Sequence, residues 1–267
     1  MNPPPAKHRT SWIGQSVVAI VAVGVAAAIV LPALHARSNN ARAATCAGNL
    51  SQIGLAMAQY AQDNDQVYPC GTAAGSPGAG WAGQIYPYLL STSALHCPQD
   101  VNAEPSNLKN EWPISYGLNS NLATAGVKTL SSPGKTVLVF ETGHTVAHPQ
   151  EHDDGDNPLR QYSPAGDGAD GHLYCAAAQG TWPVDYATGV LGGRSVLTQS
   201  QFAILKGRHQ DGKANYLFAD DHVALLAPGQ VSSGMDADSP GAGQTGSIEG
   251  RAAGASNAAF RATFSAK

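Results

Sequence analysis

Residues 144–171 concentrate side chains able to hold a cation: His144, His148, Glu151, His152, Asp153, Asp154, Asp156, Asp167 and Asp170. Calcium takes six to eight oxygen ligands, mostly carboxylate and carbonyl. Asp153, Asp154, Asp156, Asp167 and Asp170 therefore form a candidate calcium loop. The chain has no D-x-D-x-D-G run there, so the loop is not an EF-hand. A solvated acidic loop is the competing reading. His144, His148 and His152 recur every four residues, which on a helix would put them on one face for zinc or copper. Pro149 interrupts such a helix. His209 and Asp220 are a second candidate, as an acid–base pair. No nucleophile motif accompanies them, since Ser195 lies in Gly193-Arg194-Ser195-Val196, which is not a nucleophile elbow. The chain is therefore read as a non-enzyme, with His209 hydrogen-bonding a loop.

Four cysteines, Cys46, Cys70, Cys97 and Cys175, form no C-x-x-C pair, which argues against a thiolate zinc site or a thioredoxin-type motif. An even number in an oxidising compartment fits two disulfides. Four cysteines allow three connectivities, and spacing alone does not choose among them.

These side chains need elements to position them. Residues 12–34 carry no ionisable group, and a span of about 20 apolar residues crosses a bilayer as a helix. A signal peptide would have a shorter apolar region and a small-x-small cleavage site, which Leu34-His35-Ala36-Arg37 matches poorly. A buried core helix would need a large core around it. The anchor reading is preferred, with 1–10 as a cytoplasmic segment and 11–35 as the transmembrane helix. Lys7 and Arg9 before the run and Arg37 and Arg42 after it give a nearly balanced charge vote on orientation. Pro32 removes one helix hydrogen bond, which a membrane helix tolerates near its end.

The helix continues in water over 41–62, where Ala43, Cys46, Leu50, Ile53, Met57 and Tyr60 recur at spacings of three and four and form one apolar face. Residues 81–90 predict a short helix limited by Pro87. The β-branched run 136–140 predicts a strand after the Ser132-Pro133-Gly134 turn. Runs 215–219 and 222–226 predict a hairpin with Asp220-Asp221 as a two-residue loop. From 228 to 267 the chain is Gly-, Ala- and Ser-rich, which predicts a disordered tail. The net charge of −4, without a dense basic cluster, argues against nucleic acid as a partner.

Several of these segments carry a resemblance. Leu31-Pro32-Ala33-Leu34-His35-Ala36-Arg37, Cys46-Ala47-Gly48-Asn49-Leu50-Ser51-Gln52-Ile53-Gly54, Tyr60-Ala61-Gln62-Asp63, Cys97-Pro98-Gln99-Asp100 and Ser115-Tyr116-Gly117-Leu118-Asn119 follow one another in that order. Arg208-His209-Gln210-Asp211-Gly212 through Asp220-Asp221-His222 completes the set. Together they resemble type IV pilin-like proteins, and more narrowly the type II secretion pseudopilin-like proteins with a C-terminal H-x9-DG signature (DUF1559-like).

The resemblance implies an α+β fold, with a long N-terminal helix packed on an antiparallel sheet in a head spanning 36–227. It also implies a single-pass inner-membrane subunit with its head in the periplasm or outside the cell. Its partners would be the membrane, other pilin-like subunits and a secretion or pilus-like filament machinery. It pairs Cys46 with Cys97, leaving Cys70 for Cys175. Some pseudopilins hold calcium near their sheet, so calcium is the one cofactor it suggests.

The chain also departs from the pattern. Thr10, Ser11 and Gln15 stand where prepilins carry the Gly before the cleaved bond, the Phe after it and the Glu of the fifth mature position. This points to a minor or unprocessed subunit. Ten residues rather than nine separate His209 from Asp220, and Asp221 replaces the Gly. The alternative function is an anchored extracytoplasmic binding module that uses the His/Asp-rich loop for a metal or surface ligand.

Overall fold

The structure is a computed structural model that describes residues 10–69, 80–100, 112–147, 163–168, 185–192, 206–234 and 260–266. The chain divides into two compact units, Met1–Ala41 and Arg42–Lys267. Helix α1, Thr10–Asp63, is one uninterrupted helix that passes through Pro32.

In the first unit the helix exposes large apolar side chains on every side, including Val17, Val18, Ile20, Val21, Val25, Ile29, Val30 and Leu31. Among the described residues none of these side chains is buried, which does not favour the alternative of a core helix. The segment is long and apolar enough to cross a membrane. The second unit is an α+β domain. The remainder of α1 changes pattern there and buries one face: Cys46, Leu50, Ile53 and Met57 are fully buried, joined by Ala43, Ala56 and Ala61. This is the face expected from the three-four spacing, although Tyr60 at its end is only half-buried.

The face covers a six-stranded sheet. Its strands are β1 (Trp112–Asn119), β2 (Val137–Ala147), β3 (Ala165–Gly166), β4 (Asp185–Tyr186), β5 (Ala214–Phe218) and β6 (Val223–Leu226), in the order β3-β1-β2-β5-β6 with β4 also on β2. All pairings are antiparallel except the parallel β1–β3. Side chains alternate across a strand. On β5, Asn215 reaches the Ala43 carbonyl and Leu217 lies against Gly54 of α1. Leu217 would stand only 3.1 Å from a Cβ at Gly54, so the missing side chain lets helix and strand approach closely. Helix α2, Trp81–Ile85, gives way to a 3₁₀ turn at Tyr86–Tyr88, where Pro87 sits. The Trp81 indole donates to the Pro164 carbonyl at 2.6 Å, tying this corner to β3.

Two sequence expectations change. The β5–β6 loop has three residues, not two. Phe218 N–H donates to the His222 carbonyl at 2.9 Å, Asp221 N–H donates to the Phe218 carbonyl at 3.0 Å, and Asp221 has φ 69°. This is a type I turn closed by one left-handed residue, the usual three-residue hairpin. Two carboxylates are poorly suited to the paired left-handed angles of a two-residue loop.

The tail expected to be disordered is ordered at both ends. A 3₁₀ turn at Pro228–Gln230 leads into β7 (Val231–Ser232), which pairs in parallel with β8 (Ala262–Thr263). Phe264 is fully buried against Phe140 and Tyr186, at centroid distances of 5.1 and 6.4 Å. The amides of Asn119 and Asn121 both donate to the Phe264 carbonyl at 3.0 Å. Average composition hid a few apolar side chains that are fully buried, Val231, Ala262 and Phe264.

Phe264→Ala is therefore expected to destabilise the domain by about 3–5 kcal/mol, the usual cost of removing a buried phenylalanine. Denaturant melts of the two chains check it. A loss under about 1 kcal/mol would mean that the C-terminal strand does not stabilise the head.

Candidate functional site

Beneath the start of the buried stretch of α1 lies a cluster of polar groups drawn from five parts of the chain. Helix α1 supplies Cys46 and Asn49, the 96–100 loop supplies Cys97, Gln99 and Asp100, β1 supplies Tyr116, β2 supplies Glu141, and β5 with the segment entering it supplies Arg208, His209 and Asn215. Along β2, Val139 and Glu141 share one face by strand period, the face of Leu217 and Asn215 on β5, whereas the irregularity between Val137 and Val139 sets Val137 opposite Phe218. The acid thus occupies a core position, where a polar side chain must be paired.

A tight turn aims His209. Asp211 and Gly212 both have positive φ, 61° and 66°, the pair of angles that an Asp-Gly sequence adopts in a type I′ turn. His209 N–H then donates to the Lys213 carbonyl at 2.8 Å. A Cβ on Gly207 would fall 2.2 Å from the Lys213 backbone, so only glycine allows this close approach.

His209 Nε2 lies 2.6 Å from Glu141 Oε1, with both side chains fully buried. His209 Nδ1 faces Gln99 Oε1. Both ring nitrogens meet oxygen acceptors, the arrangement that suits an imidazolium. Asn215 Nδ2 donates to the same Glu141 oxygen at 3.1 Å and to the Ala43 carbonyl at 3.3 Å. Arg208 Nη2 lies 3.1 Å from Asp100 Oδ2 and donates to the Thr142 carbonyl. Two carboxylates thus oppose one guanidinium and one imidazole, so the buried group is neutral when His209 carries its proton. Asn49 Nδ2 donates to the His96 carbonyl at 2.8 Å, and the Tyr116 hydroxyl donates to the Cys46 carbonyl at 3.3 Å. Burial, reinforced by the charge on Glu141, pushes the Tyr116 phenol far above its ordinary range. Glu141 Oε2 and Arg208 Nη1 have no hydrogen-bond partner among the described residues.

Cys46 and Cys97 are joined by a disulfide with Cα atoms 5.1 Å apart, the pairing implied by the resemblance. It lies beside Glu141 and His209. Cys70 and Cys175 are outside the described residues, as are His148, His152, Asp153, Asp154, Asp156 and Asp170. Of the calcium candidates Asp167 alone is described, and its backbone carbonyl accepts from Asn121 at 3.2 Å. His144 belongs to β2, so its stretch is extended rather than helical. Thr10, Ser11 and Gln15 lie in the first turns of α1.

His209 and Asp220 are not partners. His209 takes Glu141, while Asp220 Oδ1 faces His222 Nδ1 at the hairpin tip. Sequence reasoning missed Glu141, Arg208 and Asn215. The acid continuing an apolar strand face, and the Asp211-Gly212 turn, were the signals available.

A family model described as "Protein of unknown function (DUF1559)", SBP_bac_10, matches residues 35–212. The chain belongs to this family. No curated protein and no solved structure matches it. The matched segment of this DUF1559 protein contains Cys46, Cys97, Glu141 and His209, whereas Asn215 lies just beyond it.

Two stability measurements test this account. Glu141→Leu or His209→Leu alone is expected to cost about 3–5 kcal/mol, because each strands a buried partner. The double substitution should cost less than the sum by more than about 1 kcal/mol, and strict additivity would mean the two groups are not coupled. At the hairpin, burial and then the neighbouring Asp220 raise the Asp221 carboxyl above its usual value. A carboxyl raised on folding favours the protonated form, so its ionisation lowers stability as pH rises through the folded pKa. Asp221→Gly also relieves the positive φ, worth about 1 kcal/mol. The glycine variant should be the more stable at neutral pH, with a smaller advantage below the carboxylate range. Equal stability at both pH values would contradict the electrostatic part.

Proposed function

We propose that this DUF1559 protein is a pilin-like structural subunit, held in the inner membrane by 11–35 and assembling through that helix with other pilin-like subunits. The observation that supports it most is α1 itself. One continuous helix, Thr10–Asp63, is apolar and exposed in its first half and one-faced in its second half, where that face packs into the head's core. A helix apolar all round suits lipid or a bundle of like helices. The DUF1559 match supports the coarser reading of an anchored extracytoplasmic module. The pilin-like role rests on the helix pattern and on the resemblance of the motifs.

The role is structural rather than catalytic. The buried ion pair holds the head together, and no nucleophile motif accompanies it. Gln15 replaces the usual membrane glutamate, so assembly would use hydrogen bonding and packing between helices rather than an ion pair with a neighbour's amine. The Thr10 and Ser11 positions favour a subunit that keeps its first ten residues.

Single cysteines placed along 17–31 in the native host test the assembly. Oxidative cross-links to the same or other pilin-like subunits are expected at three- and four-residue intervals. The chain should resist extraction by alkaline carbonate, and mass spectrometry should find an N-terminus at Met1 or Asn2. A carbonate-soluble chain would remove the anchor, and an absence of cross-links at every position would remove the assembly. A start at Ser11 would refute the unprocessed N-terminus while leaving the filament role standing.

A further inference from the structure

The sulfurs of Cys46 and Cys97, a carboxylate oxygen of Glu141 and a ring nitrogen of His209 all lie within 4.8 Å of one another, and all four residues are buried. Zinc–sulfur bonds of about 2.3 Å and zinc–nitrogen or –oxygen bonds of about 2.0–2.1 Å give tetrahedral edges of roughly 3.3–3.8 Å. The four groups are thus spaced for one metal ion once the sulfurs are no longer bonded to each other. We propose that the reduced chain binds one thiophilic divalent cation, zinc in the first instance, on Cys46, Cys97, Glu141 and His209, so that metal and disulfide are alternative occupants of one site.

Three further observations point to a ligand there. Glu141 Oε2 is buried without a hydrogen-bond partner among the described residues, which leaves its lone pairs for a cation. Gln99 Oε1 faces His209 Nδ1 and fixes the ring so that Nε2 is presented to the cluster. In metal-bound histidine the other ring nitrogen is typically held by an acceptor of this kind. Asn215 holds the Glu141 carboxylate at 3.1 Å, orienting it in the same way. The metal would replace the proton now shared between His209 Nε2 and Glu141 Oε1.

The interchange balances with a thiol–disulfide partner. A dithiol reductant donates two electrons to the Cys46–Cys97 bond and becomes a disulfide. The two freed thiols and the His209–Glu141 pair then release their protons, three in all, to solvent as zinc binds. In the opposite direction, a disulfide oxidant takes two electrons from the zinc-bound thiolates. Cys46–Cys97 forms, the oxidant leaves as two thiolates, zinc is released, and the His209–Glu141 pair takes one proton back from solvent. The sulfurs must separate to roughly 3.8 Å in the metal form, which rotation of the two side chains supplies. The cluster would then hold the helix to the sheet before oxidation as well as after it.

The test uses the full chain in detergent, reduced without oxygen, with zinc or cobalt(II) alone as the probe. One equivalent per chain is expected, with thiolate-to-cobalt charge-transfer absorption and none in the oxidised chain. X-ray absorption of the zinc form of the unmodified chain should count two sulfurs and two lighter ligands. Glu141→Gln and His209→Gln should each weaken uptake at least tenfold. Zinc should raise the melting temperature of the reduced chain. The proposal is overturned by four sulfurs or none at the metal, or by uptake equal in the oxidised chain. Uptake unchanged in both variants, or a reduced chain that unfolds and is not restored by zinc, would overturn it equally.

Discussion

The head depends on seating one helix on one sheet around a charge that cannot be left alone. Glu141 is fully buried on the face of β2 that receives α1. An isolated buried carboxylate would be ruinous, so His209 and Asn215 must reach it. Each partner carries a structural element with it. His209 fixes the tight turn entering β5, and Asn215 grips the α1 backbone at Ala43. Cys97 ties the 96–100 loop to the same helix through Cys46. The ion pair itself adds little net stability over a well-packed apolar replacement. Its consequence is specificity, since His209, Asn215 and Arg208 reach their partners together only in this arrangement of helix, loop, turn and strands.

The disulfide adds strength where the polar cluster adds selection. It closes a loop across a sequence separation of 51 residues, which in the chain-entropy description is worth about 4 kcal/mol. The apolar face supplies a comparable amount. Leu50, Ile53 and Met57 are each fully buried, at about 2 kcal/mol apiece before entropy is counted. The covalent link sits at the start of this face, where the helix leaves its exposed stretch and where fraying would otherwise begin.

Local patterns were legible in the sequence, and long-range polar closure was not. The α1 face showed its spacing, β2 its β-branched run, and the 220–221 hairpin its turn residues. The cluster is assembled from positions as far apart as 46, 97, 141 and 209, and no local period joins them. The nearby pair His209 and Asp220 was the tempting choice, yet the hairpin sends Asp220 to its tip, beside His222. The parity of Val139 and Glu141 did hold the information that an acid faced the core. It could not say which distant group would meet it. The C-terminal strand failed for a related reason, because Phe264 orders itself through Phe140 and the amides of Asn119 and Asn121, all distant in sequence.

Helix α1 answers to two solvents, and the change between them is written in its side chains. Through Leu34 it is apolar in every direction, a pattern that would aggregate in water. Beyond it come His35, Arg37, Asn39, Asn40 and Arg42, and from Ala43 onward only one face is apolar. Charged and amide groups cannot sit in hydrocarbon without partners, whereas a one-faced helix cannot satisfy itself there. In an anchored subunit the membrane surface must therefore fall within 35–42. The disulfide at Cys46 and the Asn215 contact at Ala43 lie just beyond that limit. The head thus holds α1 covalently and by a buried hydrogen bond at the start of its one-faced stretch.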